Sequence, residues 1–103
     1  MVFITGFSGG ARVTTLIENK MNNIAATALC GAGPADISAW AGKTTPVMLF
    51  AGTGDFNYLE INGIYSNPEI NRPRALRIFQ GTHTWPLVED FEDFFVLMKR
   101  LSD

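Results

Sequence analysis

Apolar and polar positions along this chain change period repeatedly, and each change marks an element. Val2-Phe3-Ile4-Thr5 is short, β-branched and aromatic and stops at Gly6, which predicts a strand. From Ala11 the period becomes helical. Val13, Leu16, Ile17 and Met21 form an apolar face, Arg12, Glu18 and Lys20 are available for the other, and Asn22-Asn23 ends the helix. Ile24 to Cys30 is a second apolar run, closed by Gly31-Ala32-Gly33-Pro34. A short helix is expected around Asp36 to Ala41, with Asp36 as its N-cap. Val47 to Ala51 is a continuous apolar run bounded by Gly52, the pattern of a strand buried on both faces. A helix is expected between Phe56 and Tyr65, ending at Asn67-Pro68, and Ala75 to Phe79 reads as a fourth strand ended by Gly81. Pro86 suits the first position of a last helix whose apolar stripe is Leu87, Phe91, Phe94, Phe95, Met98 and Leu101. Its acids, Glu89, Asp90, Glu92 and Asp93, lie toward the N-terminal end and Lys99 and Arg100 toward the other, which matches the helix dipole.

Strands alternating with helices in this way predict an α/β fold of three layers, with about four parallel strands, right-handed crossovers and flanking helices. On such sheets functional residues gather at the carboxyl ends of the strands. The 103 residues are expected to form one domain, 1–103, and 47% apolar with 17% charged residues is a core-forming composition. The net charge is −2 and no basic run exceeds Lys99-Arg100, which argues against nucleic acid or an anionic membrane surface as partner. No apolar stretch approaches the ~20 residues of a membrane span. No signal peptide is visible, and Cys30, the one cysteine, cannot form an internal disulfide, so the compartment stays open, the cytoplasm being the default. A single histidine and a single cysteine argue against a zinc site, and no cofactor is expected.

Gly6-Phe7-Ser8-Gly9-Gly10 fits G-x-S-x-G at the place where that pattern has physical meaning, after a strand and before a helix. A serine on such a turn holds a strained backbone and projects its Oγ clear of the sheet. Flanking glycines are expected because side chains there would collide with the neighbouring strand or helix. The N–H of Gly9 lies at a helix N-terminus, where it can stabilise an oxyanion. The competing reading is a glycine-rich loop with an incidental serine. A serine nucleophile needs a base, and His83, the only histidine, follows the fourth strand in Gly81-Thr82-His83-Thr84-Trp85-Pro86. Alternatively His83 packs in its loop or caps the last helix. The base needs a carboxylate. Asp55 follows Gly52-Thr53-Gly54 after the third strand, Asp36 is the reserve, and a plain helix N-cap is the other role for Asp55. The order Ser8, Asp55, His83 is that of an α/β-hydrolase.

GFSGGAR, AGTGDFN and FQGTHTWP together resemble the C-terminal half of an α/β-hydrolase, and are most similar to the esterase branch of polyhydroxybutyrate depolymerase-like and dienelactone hydrolase-like proteins. The resemblance covers essentially the whole chain. It implies Ser8 as nucleophile, Asp55 as acid, His83 as base and the Gly9 N–H as an oxyanion donor, with Trp85 and Pro86 fixing the histidine loop. The implied activity is that of a carboxylesterase or lipase-type serine hydrolase on a small ester, with a short acyl chain because no large acyl channel is visible.

The strands that precede the nucleophile strand in that family are absent here, and two expectations follow. Residues 2–5 form an unpaired apolar edge, so a homodimer or higher homo-oligomer is expected to cover it. The second oxyanion donor of the family is also missing, a loss that costs on the order of 10²–10³ in rate. The alternatives are therefore a catalytically weak or inactive truncated domain that oligomerises, or one half of a split hydrolase. Phe7 and Trp85 are the expected substrate contacts, and Phe56, Tyr58 and Leu87 are further pocket candidates that also suit ordinary packing. Cys30 is expected to be buried and inert. Arg12 suits an ion pair on the surface or between subunits, with substrate binding as the lesser alternative, and Trp40 either covers the site or fills an interface.

Overall fold

A computed structural model of the chain describes residues 2–102, and for 101 and 102 the backbone alone. Eight elements alternate: β1 (Val2–Phe7), α1 (Gly9–Glu18), β2 (Ile24–Cys30), α2 (Ile37–Ala41), β3 (Val47–Gly52), α3 (Tyr58–Ser66), β4 (Arg74–Phe79) and α4 (Val88–Ser102). The strands form one parallel sheet in the order β1-β2-β3-β4. Leu29 stands level with Gly6 on one side and Leu49 on the other, and Leu49 is level with Leu76.

Side chains of the central strands divide between two cores because they alternate across the sheet. Leu29, Val47, Leu49 and Ala51 point to the face that holds Ala11 of α1, Trp40 of α2 and Ile61 and Ile64 of α3. Ala26, Ala28, Cys30, Met48 and Phe50 point to the other, where Phe94 and Met98 of α4 cover them. Three successive crossovers of one hand, all stepping in one direction, place their helices on one face. The terminal helix is free of that rule and closes the second face. The result is the expected three-layer α/β arrangement, with no helix long and apolar enough to cross a membrane among the described residues.

Asp36 caps α2 as expected: its Oδ1 accepts from the N–H groups of Ser38 at 3.1 Å and Ala39 at 3.3 Å. α1 differs from expectation in extent and orientation. It starts at Gly9, directly after Ser8, and stops at Glu18, so Met21 lies beyond it. Its inward residues are Ala11, Thr14, Thr15 and Glu18, while Val13, Leu16, Ile17 and Met21 are 38–52% exposed. The cause is a close approach between helix and sheet. A Cβ on Gly6 would overlap the Gly10 carbonyl and Thr14 Oγ1, so only small side chains fit between α1 and β1. The inward hydroxyls are satisfied within the helix, Thr14 donating to Gly10 O at 2.8 Å and Thr15 to Arg12 O at 2.7 Å.

Two details of α4 also depart from expectation. Pro86 precedes the helix rather than opening it. Asp90 in the first turn accepts from the Leu87 N–H at 3.0 Å, which satisfies a donor that the helix leaves unpaired. The buried stripe is narrower than the six residues expected: Phe94 and Met98 are fully enclosed and Phe91 partly so, while Leu87 and Phe95 are exposed. Phe95 lies on the flank of the stripe, its ring 5.4 Å from that of Phe3 on β1. The side chain of Leu101 lies outside the described residues.

Candidate active site

The carboxyl ends of all four strands meet at one rim, and each contributes a loop. β1 runs into Ser8, which has φ 57° and ψ −121° and is the only non-glycine residue with positive φ among the described residues. Such a backbone costs on the order of 1–3 kcal/mol and persists only where its surroundings hold it. Here the Ser8 N–H donates to Cys30 O at 2.7 Å, and its own carbonyl accepts from Ala11 N at 2.9 Å and Arg12 N at 3.3 Å. The close contact of Gly6 with α1 fixes the turn from below. The collision argument for flanking glycines therefore holds at Gly6 and not at Gly9 or Gly10, where an added Cβ would meet nothing within 4 Å.

Asp55 and His83 arrive on loops that are fastened to each other. Thr53 N donates to Phe79 O at 2.9 Å and Gly54 N to Gly81 O at 2.8 Å, so the segment after β3 lies along the segment after β4. His83 stands between the other two residues. Its Nε2 is 2.7 Å from Ser8 Oγ and its Nδ1 is 2.9 Å from Asp55 Oδ2. The Asp55 side chain is wholly buried, whereas that of His83 is 22% exposed. Residues 8, 55 and 83 thus form a continuous hydroxyl, imidazole and carboxylate chain. Asp55 does not cap a helix through this oxygen. Its Oδ1 accepts from the Asn57 N–H at 2.7 Å, which leaves Oδ2 for the imidazole.

The loop after β2 supplies the floor. Gly31 has φ +73°, and a Cβ there would stand 3.2 Å from Asp55 Oδ2 and 3.3 Å from His83 Cε1. Asn57 holds this loop in place, its Nδ2 donating to Gly31 O at 2.8 Å. Gly31 and Asn57 were not among the expected site residues. The weak signal for them was position alone, one directly after an apolar run and the other two residues beyond the acid.

Other expected participants fall into place differently. Asp36 is exposed and occupied in capping α2, so the reserve acid is not the one facing His83. Phe7 is half-buried, with its ring 4.8 Å from the imidazole and 5.3 Å from the ring of Trp85. Tyr58 packs against the α1–α3 core rather than the rim. Leu87 is exposed beside α4. Trp40 neither covers the site nor meets an outer surface: it is fully buried, with the Arg72 guanidinium 4.9 Å from its ring centroid. Arg12 makes its ion pair within the chain, to Glu60 at 2.8 and 3.1 Å, and that hydrogen-bonded carboxylate holds the guanidinium above its ordinary range. Cys30 is buried, and burial pushes its thiol up to about 12, partly opposed by the hydrogen bond with Thr5. No group of three or more histidine, cysteine, aspartate or glutamate side chains suited to a metal ion occurs among the described residues.

Compared with known proteins, the chain matches no family model, no curated protein and no solved structure.

Proposed function

We propose that the protein is a serine hydrolase of carboxylic esters, with Ser8 as nucleophile, His83 as base and Asp55 as the supporting acid. The observation that carries this reading is the pair of contacts on one imidazole, Ser8 Oγ at 2.7 Å and Asp55 Oδ2 at 2.9 Å. The Ser8 hydroxyl donates to Nε2, which leaves the ring proton on Nδ1, directed at Asp55. Ser8 Oγ then attacks the ester carbonyl carbon while its proton passes to Nε2. The developing oxyanion lies toward the Gly9 N–H at the start of α1, where the helix dipole also favours negative charge. The alcohol leaves with the proton held by His83, and water cleaves the acyl-enzyme by the same route. On this reading the four strands are the nucleophile-to-histidine half of an α/β-hydrolase sheet, and the substrate is a small ester with a short acyl chain. Phe7, beside His83, and the half-exposed Trp85 border the approach to Ser8.

The test is Ser8→Ala. It is expected to lower turnover of p-nitrophenyl acetate by about 10³-fold or more and to abolish labelling by a fluorophosphonate probe. Unchanged turnover would reject the mechanism.

A second reading, an oligomerising domain with little turnover, is favoured by the outward apolar face of α1 and the open edge of β1. In either case we propose a second copy of this chain as the occupant of that edge. A two-fold axis would set β1 against its own copy and α1 beside α1, so that one patch meets itself. Stoichiometric fluorophosphonate labelling at Ser8 would remove the inert version of this reading.

A further inference from the structure

We propose that Phe7 and Phe56 are positioning residues for the His83 imidazole, each delivered by the dipeptide that also delivers one of its hydrogen-bond partners. Phe7 directly precedes Ser8, and Phe56 directly follows Asp55. The ring of Phe7 lies 4.8 Å from the imidazole at 40°, and that of Phe56 lies 4.2 Å away at 38°. Two dipeptides, one at the end of β1 and one in the loop after β3, thus contribute one hydrogen bond and one aromatic contact apiece. Burial does not explain Phe56, which is 77% exposed, yet its ring makes the shorter of the two contacts. Phe7 is braced in turn by Trp85, stacked at 5.3 Å and 28°. The imidazole thus has hydrogen-bond neighbours at both nitrogens and two aromatic rings within 5 Å, while Gly31 leaves open the space beside Cε1 that a Cβ would fill at 3.3 Å.

The arrangement suits a ring that must keep one orientation while its charge changes. As Oγ–H breaks, Nε2–H forms and the carbonyl π pair moves onto oxygen, the neutral imidazole becomes a cation. Aromatic π faces attract cations within about 6 Å of their centroids. They attract the cation as it forms in the transition state and oppose rotation away from the Ser8–Asp55 line. Phe56 is then a lever on the rate that need not touch substrate.

The kinetic half of this inference rests on the ester-hydrolase reading, whereas the spectroscopic half does not. The test compares Phe56→Leu, which keeps the bulk and removes the π system, with Phe56→Tyr, which keeps it. In the unaltered chain the Nδ1–H of His83 is expected as a downfield proton resonance in slow exchange with water. Phe56→Leu is expected to speed that exchange several-fold and to lower kcat for p-nitrophenyl acetate about two- to fivefold with little change in KM. Phe56→Tyr is expected to restore most of both. A protected Nδ1–H unaffected by Phe56→Leu overturns the proposal, and so does its absence from the unaltered chain or an equal loss in Phe56→Tyr. If the resonance behaves as stated and no ester is turned over, the positioning role stands and the hydrolase reading falls.

Discussion

Cys30 sits next to the candidate active site and is chemically quiet. Its carbonyl accepts the Ser8 N–H, and its sulfur lies 3.7 Å from Thr5 Oγ1. Burial raises the thiol from an ordinary 9.0 to about 12, so folding favours the neutral form. That contribution to stability is full below the unfolded value and is lost as pH rises from about 9 toward 12. Urea unfolding across this range is expected to show a steeper alkaline loss for the unaltered chain than for Cys30→Val; equal slopes would count against a buried, neutral thiol. At this scale the meeting of Ser8, Asp55 and His83 at one rim was legible, because each lies shortly after a strand. The sequence was silent on Gly31, on Asn57 and on the contact of Phe56 with His83. Those roles depend on which loops touch across the rim, and no local pattern encodes that.

Among the elements, α1 is where expectation and structure part most clearly. A helical stripe of Val13, Leu16 and Ile17 identifies a helix but not the side that faces the sheet. The missing side chain of Gly6 decides that, by bringing the helix too close for anything larger than Ala11, Thr14 and Thr15. The same rotation turns Glu18 inward at the opposite end of the strands from Ser8. There it meets Arg72, which reaches Glu18 Oε1 at 2.7 Å and Thr45 O at 2.7 Å and is fully buried. The pair ties the end of α1 to the segment that enters β4. Arg72→Met is expected to strand the Glu18 carboxylate without a partner and to cost about 3–5 kcal/mol in urea unfolding. Adding Glu18→Leu should recover most of that loss, because the cost lies in the unpaired charge. β2, β3 and β4, by contrast, were legible to within a residue, β2 and β3 because they read as unbroken apolar runs, whereas β1 runs two residues beyond the expected stop, through Gly6 to Phe7.

For the whole molecule, the two margins of the sheet are unlike. β4 carries Arg74 and Arg77. Arg74 donates to the carbonyls of Tyr65, Asn67, Ile70 and Arg72, and Arg77 pairs with Asp90 and Asp93 on α4. β1 has no charged side chain and lies beside the exposed face of α1. Charged edges resist strand addition and bare ones invite it. If β1 is the contact, light scattering at micromolar concentration should report a dimer, and Leu16→Glu should return the mass to that of one 11.3 kDa chain. An unaltered chain that is already monomeric would refute the shared edge. The alternation of elements made the architecture readable from sequence, and an open margin at residues 2–5 was expected from the resemblance; the strand order does put β1 at one edge of the sheet. The guard on β4 also sets a limit on growth. If two bare margins join, each end of the combined sheet is a β4 strand carrying Arg74 and Arg77, and assembly is expected to stop at a finite pair rather than run on into a filament.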